Sequence, residues 1–330
     1  MNVCRTERLM MHLSHMKRAS ALATAALLFA ALGACSDSTD ASESTYGPGT
    51  WAKAEGTIVF GAVPDKAGSD SNNKPLEDYI AKQTGLKVEY YPTADYTALI
   101  AAAVAGKVDV MVSGGLQYVM AVNKGAKLEP VAAALSSPEV NDPGYYSEAV
   151  VPPGSSITSL SEAKGMKVCF VDPNSTSGYL FGLYQLKNAG LNVEASGSDA
   201  NGNPTFDDFT PVFAGAHDKS VQSVATSQCD VGFAEDTETQ PAATKGDVTV
   251  VAREYVPGGP LSISSVLPDD VKAQLTQVLQ GATVEAITAS GVSITDGFSS
   301  TYFGAQAKDE SYYQTIIDLC TSIPAAKCAA

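Results

Sequence analysis

Apolar and polar positions alternate along this chain between a strand-like and a helix-like period. Thr57–Val63 (TIVFGAV) is a continuous β-rich run, the pattern of a buried strand. Pro75–Thr84 then sets Leu76, Tyr79 and Ile80 at helical spacing and stops at Gly85, a residue suited to the position after a helix end. Leu86, Val88 and Tyr90 alternate as in a strand; Asp95 opens a helix carrying Leu99, Ile100 and Val104, closed by Gly106; Val108–Val112 is a short buried strand. This βαβαβ order predicts a parallel sheet covered by helices on both faces.

The rhythm returns further on. Met166–Val171 reads as a strand, and Thr176–Ala189 as a helix with Leu180, Leu183 and Leu186 inward. A polar insertion over 192–208 leads to a strand near Pro211–Phe213, a helix over His217–Ser227 and a strand over Cys229–Ala234. KVDVMV and QCDVGFA fall at the same place in each half, which predicts two lobes of similar plan. Extended runs at Tyr145–Val151 and Val248–Val256 read as paired hinge crossings, and helix patterns at Pro268–Gln280 and Ser311–Ile323 as a return to the first lobe. The expected fold class is therefore α/β and two-lobed, each lobe a mostly parallel sheet flanked by helices. Lobe 1 is assigned to 57–147 and 253–330, lobe 2 to 148–252. Ligands of such sheets bind beyond the carboxyl ends of the strands, here in the cleft between lobes.

The N-terminus has a different pattern. Lys17-Arg18 precedes an uncharged, Ala- and Leu-rich run from Ala19 to Ala34, which describes a secretory signal over residues 1–34. Leu32-Gly33-Ala34-Cys35 resembles a bacterial lipobox, so Cys35 is the expected lipidation site and membrane anchor. Met16 is the better start, and residues 1–15 read as an over-extended one. Residues 35–56 read as the lipidated cysteine and a flexible tether, the stretch 36–50 being small and polar.

Composition narrows the function. With 21 basic and 36 acidic residues the net charge is −15, and it becomes −18 once Arg5, Arg8, Lys17, Arg18 and Glu7 leave with the signal. Nucleic acid is not an expected partner of so acidic a chain. Processing also leaves His217 as the single histidine, which excludes sites built on two or more. No metal and no cofactor are expected. Four cysteines remain besides Cys35: Cys320 and Cys328 flank a short loop and pair most simply with each other, while Cys169 and Cys229 sit at two strands and are expected to bridge them. Buried free thiols stay open as the alternative.

Strand-to-helix loops hold the candidate chemistry. In Phe170–Tyr179 (FVDPNSTSGY) a strand ends, Asp172-Pro173 turns the chain, and Ser175, Thr176 and Ser177 stand where a helix begins. The first amides of a helix lack internal partners and the dipole is positive there, so three hydroxyls beside them suit a small tetrahedral oxyanion; an ordinary N-cap is the simpler use of such residues. His217 opens the next helix as a possible donor, with Asp218 to orient it or to cap. Glu235 and Asp236 follow CDVGFA and suit a ligand carrying a proton or an ammonium, Asp236 doubling as a helix cap. In the first lobe Tyr96 and Tyr118 follow predicted strands, near Gly114-Gly115. Ser161-Glu162-Ala163-Lys164 matches S-x-x-K without its companion motifs and reads as a solvated turn. Asn174-Ser175-Thr176 is a glycosylation sequon without meaning in a bacterial lipoprotein.

VFGAVPD near residue 60, ADYTAL at 94, Gly114–Tyr118 as G-x-x-x-Y, FVDPNSTSGYL at 170 and GAHD at 215 occur in this order. Over roughly residues 57–290 this pattern resembles the phosphate/phosphite/phosphonate-binding lipoproteins of ABC importers, a type II periplasmic-binding fold. The resemblance implies that Ser175, Thr176, Ser177 and His217 hold a phosphorus oxyanion, that Tyr96 and Tyr118 complete the cage, and that Asp236 or Glu235 reads the ligand's variable side. Two positions depart from the pattern: Ala216 stands where serine is frequent, and Gly114-Gly115 where Gly-Pro is frequent. The expected protein is extracytoplasmic, lipid-anchored and monomeric, not an enzyme, and hands its ligand to an ABC permease. A sensory lipoprotein that presents the anion to a receptor would have the same site, and a phosphoester hydrolase would lack a nucleophile–base pair beyond a serine near His217.

Overall fold

The computed structural model describes residues 47–63 and 72–328. The expected signal peptide, Cys35 and the tether up to residue 46 lie outside the described residues. No described helix is long and apolar enough to cross a membrane.

The first run comprises β1 (Thr57–Ala62), α1 (Lys74–Thr84), β2 (Lys87–Tyr91), α2 (Tyr96–Val104), β3 (Val110–Val112), α3 (Gly115–Asn123) and β4 (Leu128–Leu135). The second comprises β5 (Gly144–Val151), β6 (Lys167–Phe170), a wide π-type turn (Thr176–Leu180) running into α4 (Phe181–Asn188), a small hairpin of β7 (Gly197–Ser198) and β8 (Pro204–Thr205), β9 (Thr210–Phe213), α5 (His217–Ala225), β10 (Val231–Glu235), α6 (Asp236–Lys245) and β11 (Thr249–Pro257). The chain returns through β12 (Pro260–Ser264), α7 (Asp269–Gln280), α8 (Val284–Ala289), α9 (Asp296–Thr301), β13 (Gly304–Ala307) and α10 (Gln314–Ser322).

Two main sheets result, ordered β13-β4-β12-β3-β1-β2 and β11-β5-β10-β6-β9. Both are mixed rather than mostly parallel. Parallel pairing is confined to β3-β1-β2 and to β10-β6-β9, while β4, β12 and β13, and β5 and β11, pair antiparallel. A parallel neighbour needs a crossover, usually a helix, to bring the chain back. β4, β5, β11 and β12 instead carry the chain from one sheet to the other.

The extended runs read as crossings are themselves strands of the second sheet, since β5 and β11 pair with each other from Gly144 to Val151. The crossings lie just beyond them, over 136–143 and at Gly258-Gly259. There the backbones touch: Gly258 N donates to Pro143 O at 3.3 Å and Ala134 N to Gly259 O at 3.0 Å. A Cβ on Gly258 would stand 2.1 Å from Ala134 O, and one on Gly259 2.4 Å from Ser113 O. Only glycine fits either position.

The last part of the expected tether is anchored. Gly49 and Thr50 amides donate to Val266 O at 2.6 and 3.1 Å, and Ala52 N donates to Asp109 Oδ1 at 2.8 Å. Trp51 packs on the apolar cluster of Ile58, Phe60 and Leu76, so burial of an indole fixes what polar composition suggested was loose. Cys169 pairs with Cys229, joining β6 to the entry of β10, and Cys320 pairs with Cys328. Of the C-terminal helices, α7 packs on β4, β12 and β13 and α10 on α3, while the end of the chain also reaches the second half: Tyr179 Oη donates to Ala325 O at 3.0 Å and Lys187 Nζ to Ser322 O at 2.8 Å.

Candidate functional site

Helix starts from both halves meet at one cavity of about 150 Å3 between the sheets. Each follows the carboxyl end of a strand: β2 leads to Tyr96, β3 to Gly114, β6 to Ser175, β9 to His217 and β10 to Glu235, and all five of these residues line the cavity. The amides at a helix start have no partner within the helix, and the dipoles add positive potential. No lysine or arginine lines the cavity among the described residues. An anion held there is neutralised by backbone dipoles and neutral donors.

The Ser175-Thr176-Ser177 segment forms the first wall. Ser175 caps the turn, its Oγ accepting from Gly178 N at 3.1 Å, and Leu180 N reaches back to Ser175 O at 3.1 Å, the i+5 bond that widens the turn. Ser175 is therefore both a cap and a lining residue. Thr176 Oγ1 accepts from Leu116 N of α3 at 3.0 Å, a bond between the halves. Ser177 O is fixed by Ser147 Oγ at 2.7 Å, and its own buried Oγ lies beside the Tyr145 hydroxyl without a well-directed hydrogen bond.

His217 is buried, and its Nδ1 accepts from Glu235 N at 3.0 Å. An accepting Nδ1 places the proton of the neutral ring on Nε2, which makes that nitrogen a donor. Ala216 is the helix N-cap and has no side-chain cap bond, the consequence of lacking serine there. Asp218 does not line the cavity; its Oδ2 lies 3.7 Å from Lys219 Nζ.

Two pairs of alternatives separate. Glu235 lines the cavity, whereas Asp236 is buried beside it and accepts from Tyr146 N at 3.2 Å. Burial pushes the Asp236 carboxyl up, opposed by hydrogen bonds from Ser137 and Tyr146 N; it ties α6 to β5 and to the 136–143 crossing. Tyr96 lines the cavity, but Tyr118 does not: its ring packs on Tyr313 with centroids 5.5 Å apart. Consecutive helix residues are rotated by about 100°, so on α3 it is Gln117 that faces the cavity.

Tyr145, at the start of β5, and Tyr302 are lining tyrosines that the residue pattern does not single out; the Tyr302 hydroxyl donates to Ala282 O at 2.5 Å. Burial first, and then the Glu235 charge, raise the pKa of both Tyr96 and Tyr145, so both phenols stay protonated as donors. Ser113, Gln117 and Ser136 complete the walls from the first sheet and the crossing. The buried Ser113 Oγ and Gln117 Oε1, like Ser177 Oγ and Thr237 Oγ1, make no hydrogen bond among the described residues. Buried polar atoms are seldom left unpaired unless a ligand or water completes them.

Comparison with known proteins gives this geometry a family. Residues 60–312 match the family model for the periplasmic phosphonate-binding protein of ABC transporters. The phosphate-import protein PhnD of Mycolicibacterium smegmatis is 36% identical over 292 residues, which cover 84% of this chain and 86% of that protein. The phosphonates-binding periplasmic protein of Escherichia coli is 31% identical over 188 residues, 54% of this chain and 50% of that protein. In fold, PhnD1 of Prochlorococcus marinus, solved with methylphosphonate, superposes with a TM-score of 0.64 at 18% identity, covering 82% of this chain and 98% of that one. The binding-protein component of an ABC phosphonate transporter from Pseudomonas aeruginosa gives 0.62 at 24% identity, with 82% and 87% covered. The family is one of periplasmic substrate-binding components of transporters, a non-enzymatic role. The chain belongs to the family of substrate-binding proteins of phosphonate and phosphate ABC importers.

Proposed function

We propose that this protein is anchored to the membrane by a lipid on Cys35 and captures a small phosphorus oxyanion (phosphate, phosphite or a phosphonate) for an ABC permease. The observation that carries the reading is the convergence of helix starts from both halves on a cavity that no described lysine or arginine lines. Ser175, Thr176, Ser177 and the Nε2–H of His217 supply donors from the second half; Tyr96 supplies one from the first, and Tyr145 one beside the crossing. Glu235 accepts from a protonated ligand oxygen or an ammonium group. The cavity is comparable to one that holds a benzene-sized guest, which suits a tetrahedral anion with at most a short substituent.

Binding works by closure. The halves rotate about the 136–143 and Gly258-Gly259 crossings, and a ligand that touches both favours the closed state that a permease recognises. The Thr176–Leu116 bond forms as the halves meet. Support comes from the bare glycine backbones at the crossing and from the relatives' printed roles in phosphate and phosphonate import.

The test is titration calorimetry with phosphate, phosphite, methylphosphonate, 2-aminoethylphosphonate and sulfate. Binding of at least one phosphorus ligand, with sulfate far weaker, is expected. Heat with none of the phosphorus ligands would reject the proposal.

A further inference from the structure

The first-half wall of the cavity faces the Ser175–Ser177 cradle with polar atoms that have no hydrogen-bond partner among the described residues. Ser113 is 8% exposed and Gln117 is 1% exposed; both line the cavity, and neither Ser113 Oγ nor Gln117 Oε1 has a hydrogen-bond partner. Both are set rigidly. Ser113 O abuts Gly259 at the crossing, and Ser113 N donates to Pro260 O at 3.4 Å. Gln117 lies in the first turn of α3, next to the amide that bonds Thr176.

Gly114 shows how close the two walls come. A Cβ there would lie 2.5 Å from Thr176 Oγ1 and 2.6 Å from Gln117 Oε1. The cradle hydroxyl and the glutamine amide therefore share the space above one glycine, on opposite halves. A tetrahedral ligand seated on Ser175–Ser177 turns its remaining corner toward Ser113 and Gln117.

Resting on the proposed function above, we infer that Gln117 and Ser113 are specificity-determining residues that select a ligand whose fourth substituent on phosphorus is oxygen. That ligand is orthophosphate rather than phosphite or methylphosphonate. Glu235 makes this distinction less directly: the monoanions of phosphite and methylphosphonate, populated near neutral pH, carry an O–H as phosphate does, so its carboxylate separates all three from sulfate more strongly than from one another. Gln117 Oε1 accepts and the Ser113 hydroxyl can donate or accept, so together they pair with a P–OH corner, Gln117 taking its proton and Ser113 bonding its oxygen. Placing P–H or P–CH3 there leaves two buried polar groups unpaired, and sites built to hydrogen-bond an oxygen reject analogues without it strongly.

The experiment measures Kd for phosphate, phosphite and methylphosphonate on wild-type protein, Gln117→Met and Ser113→Ala, with 2-aminoethylphosphonate as a fourth ligand and melting curves to verify folding. Wild type is expected to bind phosphate at least tenfold more tightly than the other three. The phosphate-to-methylphosphonate preference is expected to fall at least tenfold in Gln117→Met and by a smaller factor in Ser113→Ala. A wild-type preference for any of the other three, or an unchanged ratio in folded Gln117→Met, overturns the inference while leaving the proposed function standing. If wild type binds no phosphorus anion at all, the proposed function fails and the inference with it.

Discussion

The hydroxyl of Thr176, on the second half, accepts a 3.0 Å hydrogen bond from the amide of Leu116, on the first. The same hydroxyl also lies beside the Tyr145 phenol. Under the proposed function its proton turns to a ligand oxygen, and one side chain then couples occupancy of the cradle to closure. Thr176→Val keeps the shape and removes both functions, whereas Thr176→Ser keeps both. Hydrogen bonds to charged groups contribute about 1.5–3 kcal/mol. Calorimetry on the tightest of the phosphorus ligands should show at least tenfold weaker binding for Thr176→Val and recovery of most of it in Thr176→Ser; equal affinity in Thr176→Val and wild type would remove Thr176 from the site.

His217 serves two partners as well. Its Nδ1 takes the Glu235 amide at 3.0 Å, and this bond both positions Glu235 and sets the donor at Nε2. His217→Ala should weaken ligand binding at least tenfold. It should also lower the unliganded melting temperature, because an unpaired buried amide costs about 1–3 kcal/mol. His217→Asn returns an acceptor near Nδ1 without the distal donor, so it should restore part of the stability and little of the binding. Recovery of full affinity in His217→Asn would contradict an Nε2 contact.

Adjacent carboxylates at the start of α6 should separate in their effects. Glu235 lines the cavity, and Asp236 is bonded to Tyr146 N at 3.2 Å away from it. Glu235→Gln should narrow the gap between phosphate and sulfate, because an amide donates to a fully ionised oxygen where a carboxylate repels it. Asp236→Ala should instead lower stability by about 1–3 kcal/mol through the unpaired backbone donor. Denaturant melts and sulfate titrations on the two variants distinguish the roles; the reverse assignment would show as a sulfate gain in Asp236→Ala.

Much of this arrangement was legible in the chain. β1, α1, β2, α2 and β3, and later β6, β9, α5 and β10, fall within a few residues of their predicted places, since their apolar periods and closing glycines are local signals. The hydroxyl cradle and His217 were legible too, because a helix start is announced by the residues that cap it. The residue pattern does not mark β4, β12, β13, α3, α8 or α9. β4 (LEPVAAAL) has a single β-branched residue, Val131, beside a proline and three alanines, with no alternation to mark it, and its partners lie far along the chain. The exchange of Tyr118 for Gln117 has a similar cause: which face of α3 meets the cavity is decided by Tyr313, nearly two hundred positions on. Tyr145 was hidden in a segment that looked like linker, and Asp236 looked equivalent to Glu235 until β5 supplied its amide.

Asp109 lies away from the cavity and is expected to govern acid behaviour in an unusual direction. It is 1% exposed, with its oxygens accepting from Ala52 N at 2.8 Å and Val59 N at 2.9 Å. Burial raises its carboxyl to about 6 from an ordinary 3.8, against those two hydrogen bonds. A carboxyl with a raised folded-state pKa binds more protons folded than unfolded. Its contribution is full below about pH 4 and is lost as pH rises through about 6, by roughly 3 kcal/mol at one pKa unit per 1.4 kcal/mol. Most salt-bridged carboxylates, such as Glu89 between Lys53 and Lys87, act in the opposite sense, so total stability masks the effect. The difference between wild type and Asp109→Asn isolates it. Asparagine replaces one acceptor by an amide donor facing a backbone N–H, so the variant should be less stable throughout. The stability gap between the two should shrink by up to about 3 kcal/mol as pH rises from 4 to 7, because only wild type must ionise a buried group. Denaturant unfolding at several pH values measures this gap. A gap that is constant, or that widens with pH, would show that Asp109 ionises in the folded protein as easily as in the unfolded chain.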